Sequence, residues 1–251
     1  MQINTEGLVL MEKSVGESDR LVTVLTRNEG VIRAFAQQAK RLQNRKLSST
    51  QLLSYSRLSV YKGRDKYIIN DAWPIESFFD LRLDMERLSL AQYFCELAVV
   101  LAPEESEAGD FLRLMLNSLH FLAKGLRPSL QLKAVVEMRM LALAGYMPDL
   151  VCCHDCGCYE ADTMYFLPRS GIITCADCIA KTTQQEPAIP LPRGVMTALR
   201  HTIYAEFDKL FSFRLLDDGI RLLADAAEQY LLSTVQRRFA TLDFYHQITR
   251  M

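Results

Sequence analysis

Over the first 75 residues, apolar and polar side chains alternate at the period of two that is typical of a β-strand with one buried face. Two stretches, Asn28–Gly30 and Lys62–Asp65, have the composition of tight turns and are expected to join hairpins. The pattern predicts five strands, at Thr5–Ser14, Arg20–Thr26, Val31–Ala36, Leu52–Tyr61 and Lys66–Ala72. Five short strands in so few residues favour a small closed barrel such as the OB-fold over a sandwich.

Two other stretches in this region are expected to be irregular. Gln37–Gln51 is polar and strongly basic, which predicts a long exposed loop with room for a helical turn between the third and fourth strands. Trp73-Pro74 is expected to end the fifth strand, because proline has no N–H to donate to a ladder.

From about residue 76 onward the hydrophobic period changes to 3.6, the period of an amphipathic helix. The pattern predicts helices at Asp84–Ala102, Ala108–Ala123, Leu130–Gly145, Val195–Phe207 and Leu215–Phe239. The third and fourth of these are separated by Pro148–Leu191, which is rich in Cys, Pro and Thr and has no helical period.

The composition is that of an ordinary globular chain. Of its 251 residues, 49% are hydrophobic and 24% are charged, which excludes a disordered or collagen-like protein. No apolar run approaches the roughly 20 residues that cross a bilayer, and the first residues do not have the pattern of a signal peptide. We therefore expect a cytoplasmic protein with no membrane partner.

The formal net charge of −1 hides an uneven distribution. Eleven basic and only two acidic residues lie between Arg20 and Lys66, whereas residues 81–251 carry 17 basic and 21 acidic groups. Such asymmetry is expected of a module that meets a polyanion joined to one that does not, although a solvated basic face without a partner is also common.

Six of the seven cysteines lie between residues 152 and 178. Two C-x2-C pairs, Cys153/Cys156 and Cys175/Cys178, are separated by eighteen residues, a spacing that indicates a structural zinc site. Each pair directs two thiolates at one point, and four thiolates leave no position for a catalytic water. Cys152 and Cys158 are spare thiols, and either one is an alternative ligand.

Three alternatives to zinc apply to the cysteines. Disulfides are disfavoured because nothing directs the chain out of a reducing compartment. A redox C-x-x-C motif explains one pair but not two. An iron–sulfur site has compatible spacing and stays open, although zinc is the commoner occupant of such a four-cysteine ribbon.

No motif in the chain points to catalysis. There is no phosphate-cradling glycine loop, no nucleophile elbow and no H-E-x-x-H pair. The four histidines are scattered, at His120, His154, His201 and His246. We therefore expect a protein that is not an enzyme.

Aromatic residues are interleaved with the basic ones in the strand region, at Phe35, Tyr55, Tyr61, Tyr67 and Trp73. OB-type barrels bind single strands by stacking bases on aromatic rings inside a cationic groove. The competing interpretation is that these rings are strand core, since strands favour aromatic residues.

Several of these segments together resemble the RecO family of bacterial recombination mediators. The resemblance rests on GLVLMEKSVGESDRLVTVLTRNEGVIRAFAQQAKR, LLSYSRLSVYKGRDKYIINDA, the break at GYMPDL and the ribbon CHDCG…GIITCADC, and it extends over essentially the whole chain. It implies an α+β, multi-domain fold with an N-terminal OB-fold β-barrel and a C-terminal all-α domain that carries an inserted four-cysteine zinc finger. The expected divisions are 1–78 (OB-fold, DNA-binding), 79–147 and 186–251 (helical domain), and 148–185 (zinc-finger insert).

The resemblance also implies a function. Members of the family bind single- and double-stranded DNA, anneal complementary strands and act with RecR to promote RecA loading onto strands coated with single-strand binding protein (SSB). Some bind the SSB C-terminal tail. A cytoplasmic, nucleoid-associated protein with structural Zn²⁺ is therefore expected.

The basic side chains on the predicted barrel are the expected DNA contacts. They are Arg33, Lys40, Arg41, Arg45, Lys46, Lys62, Arg64 and Lys66. The alternative function is a zinc-ribbon adaptor whose basic patch recognises acidic peptides. A metal-dependent hydrolase would need an open coordination position, which four cysteine ligands do not leave.

Overall fold

A computed structural model describes residues 1–64, 66–181 and 186–249. The chain divides into two compact units: Met1–Gly125 together with Phe239–Met251, and Leu126–Arg238. The four-part division expected from sequence stays a prediction; its boundary at residue 185 and Asp65 of the predicted turn lie outside the described residues.

The first unit begins with a closed five-stranded barrel in the order β1-β2-β3-β5-β4. Its strands are β1 Gln2–Val15, β2 Asp19–Thr26, β3 Val31–Ala36, β4 Ser54–Lys62 and β5 Tyr67–Ser77, with the short helix α1 (Lys46–Ser49) between β3 and β4. All neighbouring strands are antiparallel except β3 and β5, whose parallel pairing closes the barrel. This arrangement confirms the predicted OB-type barrel.

Alternate residues of each strand fill the barrel, as a period of two requires. The barrel core consists of small and branched side chains, among them Val9, Val22, Val24, Ile32, Ala34, Leu58, Val60, Ile69 and Ala72. Among the residues between them on the same strands, Arg33 is exposed, whereas Leu8 and Leu25 are also buried, so strand parity alone does not decide which side chains are exposed to solvent.

The expected end of β5 at Trp73-Pro74 is wrong, because the strand continues to Ser77. Pro74 pairs with Ser56 on β4, where the register shifts between Tyr55 and Ser56. On its other side β5 meets β3 only at Tyr67 and Ile68. Proline is tolerated here because this stretch of β5 lies beside an irregularity and has a ladder on one side only.

The rest of the first unit is helical. A 3₁₀ turn at Phe79–Leu83 precedes α2 (Met85–Leu101) and α3 (Gly109–Lys124), and α8 (Ala240–Thr249) returns from the end of the chain to pack on α2. The side chain of Asp84 caps α2 by accepting from the N–H of Arg87. Glu96 on α2 accepts from the backbone N–H and the hydroxyl of Thr241, which fastens α8 to the unit.

The second unit contains three long helices and one small sheet. Its helices are α4 (Ser129–Leu143), α5 (Ala176–Ile179), α6 (Arg193–Tyr204) and α7 (Asp217–Val235), of which α5 is a single turn. The sheet has the order β7-β6-β8, from β6 (Thr163–Leu167), β7 (Ile172–Cys175) and β8 (Ile189–Pro192). None of the helices in the described ranges is long and apolar enough to cross a membrane.

The single helix predicted at Leu215–Phe239 is wrong in its C-terminal part. It ends at Val235, and a separate helix follows from Ala240. Gln236 takes the left-handed conformation, with φ of 51°, and its N–H donates to the carbonyl of Leu232. This C-cap terminates α7 while the apolar period continues through it, which is why the pattern did not reveal the break.

Charged groups are buried between α4 and α7. Lys133 Nζ lies 2.8 Å from Glu137 Oε1 and 2.7 Å from Glu228 Oε2, and the side chains of Lys133 and Glu137 are 1% and 0% exposed. Burial opposes the charge on Lys133, but the two carboxylates outweigh it and raise the pKa of this lysine. The ammonium therefore holds two acids together in the helix interface.

We expect Lys133→Met to lower the free energy of unfolding by about 3–5 kcal/mol, because it leaves a buried carboxylate without its counter-charge. Urea denaturation followed by far-ultraviolet circular dichroism measures the change. Lys209→Met removes an exposed lysine of the same unit and serves as the control. Equal stability of the two variants would contradict this account.

Candidate nucleic-acid interface and candidate metal centre

The outer face of β3 carries the first candidate contacts. Arg33 and Phe35 are exposed, whereas Ile32, Ala34 and Ala36 between them are buried in the barrel. A cation and an aromatic ring two residues apart on a strand point to the same side. An exposed cation and an exposed aromatic ring are the side chains that contact a phosphate and a base of a single strand.

The strand register extends this face into a belt across the barrel. Phe35 pairs with Leu21 on β2 and with Ile68 on β5, and Ile68 in turn pairs with Tyr61 on β4. Cross-strand partners lie side by side on one face of a sheet. We call Leu21, Phe35, Ile68 and Tyr61 the barrel belt. Its two rings are accessible, with Phe35 37% and Tyr61 46% exposed.

Two of the predicted basic residues lie next to the belt, on the turn between β4 and β5. Arg64 and Lys66 are exposed. Lys66 comes directly before Tyr67, the residue that pairs with Ala34 of β3, and Arg33 comes directly before Ala34. The parallel register thus brings Lys66 alongside Arg33, although 32 residues separate them in sequence.

Four further predicted basic residues lie on the connection between β3 and β4. Arg41 and Arg45 are exposed, and Lys40 and Lys46 are half-buried. This connection is tied to the neighbouring strands through its backbone: Lys40 N–H donates to the carbonyl of Ser18, and an Arg20 Nη donates to the carbonyl of Leu47. The basic side chains therefore sit on a folded loop.

Lys62 differs from the other predicted contacts. Its ammonium lies 3.0 Å from Glu29 and 4.0 Å from Glu105, and 5.4 Å from the centre of the Tyr67 ring. Acidic neighbours already neutralise this charge, so Lys62 has less to offer a phosphate than Arg33 or Lys66.

The structure also separates the aromatic residues of the basic region. Tyr67 packs against the barrel core, and the Tyr55 hydroxyl donates to Glu6 over 2.7 Å. Burial together with this carboxylate raises the pKa of Tyr55 to about 12. Trp73 is 37% exposed but pairs with Arg57, outside the barrel belt. Phe35 and Tyr61 are therefore the rings that share a face with the predicted cations.

The candidate metal centre lies in the second unit. Cys153 and Cys156 lie on the irregular segment that follows α4, Cys175 ends β7, and Cys178 lies on α5. Their four Sγ atoms lie within 4.8 Å of one another. Zinc–sulfur bonds of about 2.3 Å place the sulfurs of a tetrahedral site about 3.8 Å apart. The Sγ atoms of Cys156 and Cys175 are 3.7 Å apart, so the cluster fits such an ion.

Hydrogen bonds to sulfur arrange the cluster. Cys175 N–H donates to Cys153 Sγ over 3.3 Å, and the Thr174 hydroxyl lies 3.6 Å from the same sulfur and donates to Asp155. Burial disfavours a thiolate at Cys153, but the backbone N–H groups of Cys156, Cys175 and Asp155 outweigh it and lower the pKa of Cys153 to about 6. The donors around Cys153 therefore favour its thiolate form over that of an ordinary cysteine.

Two other thiols of the cluster have raised pKa values. Neighbouring cysteine sulfurs raise the pKa of Cys178, with Cys175 the strongest influence. The pKa of Cys156 is also raised, because Cys153 and Cys175 outweigh the N–H of Cys158 that lowers it. Four thiolates without a cation repel one another, so the cluster can bind a metal ion only by releasing protons.

The remaining cysteines lie outside the cluster. Cys158 Sγ donates to the carbonyl of Glu160 over 3.1 Å, Cys152 is half-buried, and Cys95 is buried in α2. His154, which lies between Cys153 and Cys156 in sequence, is exposed. Spacing alone left Cys152 and Cys158 open as alternative ligands, and only the fold separates them from the four grouped thiols.

Sequence reasoning missed Leu21 and Ile68 of the barrel belt, and also Arg200. The first two are ordinary strand residues whose role depends on pairing register. Arg200 on α6 donates to backbone carbonyls on both sides of the first cysteine pair. No sequence signal marks an arginine whose partners lie 40 or more residues away.

Comparison with known proteins agrees with this architecture. Residues 1–78 match the family model described as Recombination protein O N terminal, and residues 82–243 match Recombination protein O C terminal. A DNA repair protein RecO from Acetivibrio thermocellus is 32% identical over 249 residues, covering 99% of this chain and 98% of the relative.

Two other relatives share nearly the whole length. DNA repair protein RecO from Desulforudis audaxviator is 31% identical over 98% of this chain and 97% of its own. The protein of the same name from Symbiobacterium thermophilum is 29% identical over 96% and 95%. With both family models matched in order along a barrel, a helical region and a four-cysteine cluster, the chain belongs to the RecO family.

Proposed function

We propose that this protein is a DNA-binding mediator of repair and recombination that acts without covalent catalysis. The observation that carries the proposal is the exposed pairing of cations with the barrel belt, on a fold whose family is established. The relatives named above are DNA repair proteins, which is consistent with this role.

In this proposal the barrel holds a single strand in extended form. Phosphates lie against Arg33, Arg64 and Lys66, and the basic loop with Lys40, Arg41, Arg45 and Lys46 continues the contact. Bases stack on Phe35 and Tyr61, which is sequence-tolerant because every base has a π-face. Shielding the phosphate charge lowers the repulsion between two strands, so annealing needs no chemical step.

The same proposal assigns roles to the rest of the chain. Residues 1–78 are the DNA-binding OB domain, residues 79–147 and 186–251 the helical domain, and residues 148–185 the zinc-finger insert. Double-stranded DNA, RecR and the SSB C-terminal tail are the proposed partners, with RecA loading as the outcome, in the cytoplasm at the nucleoid.

We also propose that Cys153, Cys156, Cys175 and Cys178 bind one structural Zn²⁺. The ion would join the segment after α4 to β7 and α5. Four thiolate ligands leave no position for a reacting water, so the role proposed for the metal is stabilisation of the fold.

Reversing the charge of two cations beside the barrel belt should weaken DNA binding. We expect Arg33→Glu with Lys66→Glu to lower the affinity for a labelled single strand by roughly tenfold or more at moderate salt, and to reduce the slope of log affinity against log salt. Fluorescence anisotropy over a salt series measures both quantities.

The control for charge is Lys124→Glu, on the exposed side of α3 and paired only at the surface with Asp80. If Lys124→Glu lowers the affinity for DNA as much as the double variant does, the DNA-binding site does not lie at the barrel belt. An adaptor for acidic peptides would show no affinity for free DNA in any variant.

The aromatic rings should contribute binding free energy that does not depend on salt concentration. We expect Phe35→Ala and Tyr61→Ala each to cost about 1–3 kcal/mol of single-strand binding, with the salt slope unchanged. Phe79→Ala is the matched control, since Phe79 is 58% exposed on the 3₁₀ turn. If Phe79→Ala weakens binding as much, stacking on the belt is not the cause.

Metal binding should depend on pH. Because Cys156 and Cys178 have raised pKa values and must ionise to bind Zn²⁺, affinity should rise as pH increases from about 6 to 8, with proton release. Competition with a chromophoric chelator at several pH values measures the affinity. Cys152→Ser should leave it unchanged, whereas Cys178→Ser should abolish tight binding. A pH-independent affinity would contradict the four-thiol site.

A further inference from the structure

The first cysteine pair lies on a segment with little secondary structure of its own. Residues 150–162, between the end of α4 and the start of β6, contain no helix or strand. Two ligand sulfurs must nevertheless be held at fixed positions, and an irregular chain loses conformational entropy when it is held. Some element outside the segment must therefore fix it.

Arg200 on α6 makes one such connection. Its Nε donates to the carbonyl of Leu150 over 2.7 Å, and one Nη donates to the carbonyls of Val151 over 3.1 Å and Tyr159 over 2.9 Å. The guanidinium also lies over the ring of Tyr159, 4.5 Å from its centre. One side chain therefore bonds the backbone on both sides of the Cys153–Cys156 knuckle.

A second arginine of α6 fastens the far end of the same segment. Arg193 makes a bidentate ion pair with Glu160, with distances of 2.8 and 2.9 Å, and its backbone N–H donates to the carbonyl of Asp162. Arg193 and Arg200 are two helical turns apart, so they lie on one face of α6. This face of α6 therefore holds the segment at two points.

We propose that Arg200 is a positioning residue for the metal centre. It does not touch a ligand; it holds the backbone before Cys153 and after Cys156, so that both sulfurs meet those of Cys175 and Cys178. The inference rests on the proposed metal binding, and it deepens that proposal by naming the support of the site. Groups outside the ligand shell that orient ligands typically change metal affinity by about 10–100-fold when they are removed.

The chemistry requires arginine at this position. Three carbonyls accept from one planar fork that is also stacked on a ring. A lysine ammonium is a point charge that does not reproduce the fork or the stacking. The conservative variant Arg200→Lys should therefore restore part of the effect of Arg200→Gln.

Arg200 also lines a groove between the segment and α6. The segment and α6 together form the walls of an open cavity of about 640 Å³, lined by Val151, Tyr159, Arg200 and Tyr204 among others.

The test measures Zn²⁺ affinity of the full-length protein by competition with a chromophoric chelator. We expect Arg200→Gln to weaken binding by about 10–100-fold, Arg200→Lys to fall between Arg200→Gln and the wild type, and Arg214→Gln to match the wild type. Arg214 is an exposed arginine on the connection between α6 and α7. Zn²⁺ affinity of Arg200→Gln equal to that of the wild type overturns the proposal.

A second measurement separates positioning from general stabilisation of the unit. Urea unfolding is compared with and without Zn²⁺ for each variant. Positioning predicts that Arg200→Gln loses more stability in the metal-loaded form, whereas a merely structural role predicts equal losses and unchanged affinity, which also overturns the proposal. If Arg200→Gln does not fold, Arg200→Lys against Arg214→Gln decides. Absence of Zn²⁺ binding by the wild type is a distinct result, because it removes the metal proposal itself.

Discussion

Two parallel residue pairs between β3 and β5 close the barrel, and the proposed nucleic-acid interface depends on them. The pairs Ala34–Tyr67 and Phe35–Ile68 are the whole contact between these strands in the register. They bring the turn after β4 alongside β3, and with it Lys66 beside Arg33. Without this closure the two cations and the two rings would belong to separate hairpins, and a strand of DNA would have no continuous surface to follow.

The second unit meets a different constraint. The region between α4 and α6 combines buried apolar side chains, such as Phe166 and Ile173, with polar interactions that connect its segments. Four thiols group at one point, and Arg193 and Arg200 fasten the irregular segment to α6. A metal ion bound at the four thiols, as we propose, would act with the two arginines to fix several segments of the chain at once.

Much of the fold and of the candidate metal centre was predictable, because both depend on local sequence pattern. Alternation of apolar residues predicted all five barrel strands, and the two C-x2-C pairs predicted the four grouped cysteines. The errors have local causes as well. Pro74 sits in a strand because only one side of β5 carries a ladder there, and the left-handed Gln236 splits a helix within a continuous apolar period.

The sequence alone therefore determined the family, the order of the elements, the uneven charge and the candidate ligands, since each is written in residue type and spacing. Tertiary structure decided which side chains act together. It separated the exposed rings of Phe35 and Tyr61 from Tyr67, which packs against the barrel core, and it paired Lys62 with Glu29. It also placed Arg200 against the backbone around the first cysteine pair, which lies 40 or more residues away. These outcomes depend on register and on packing between distant segments, and no local pattern encodes either.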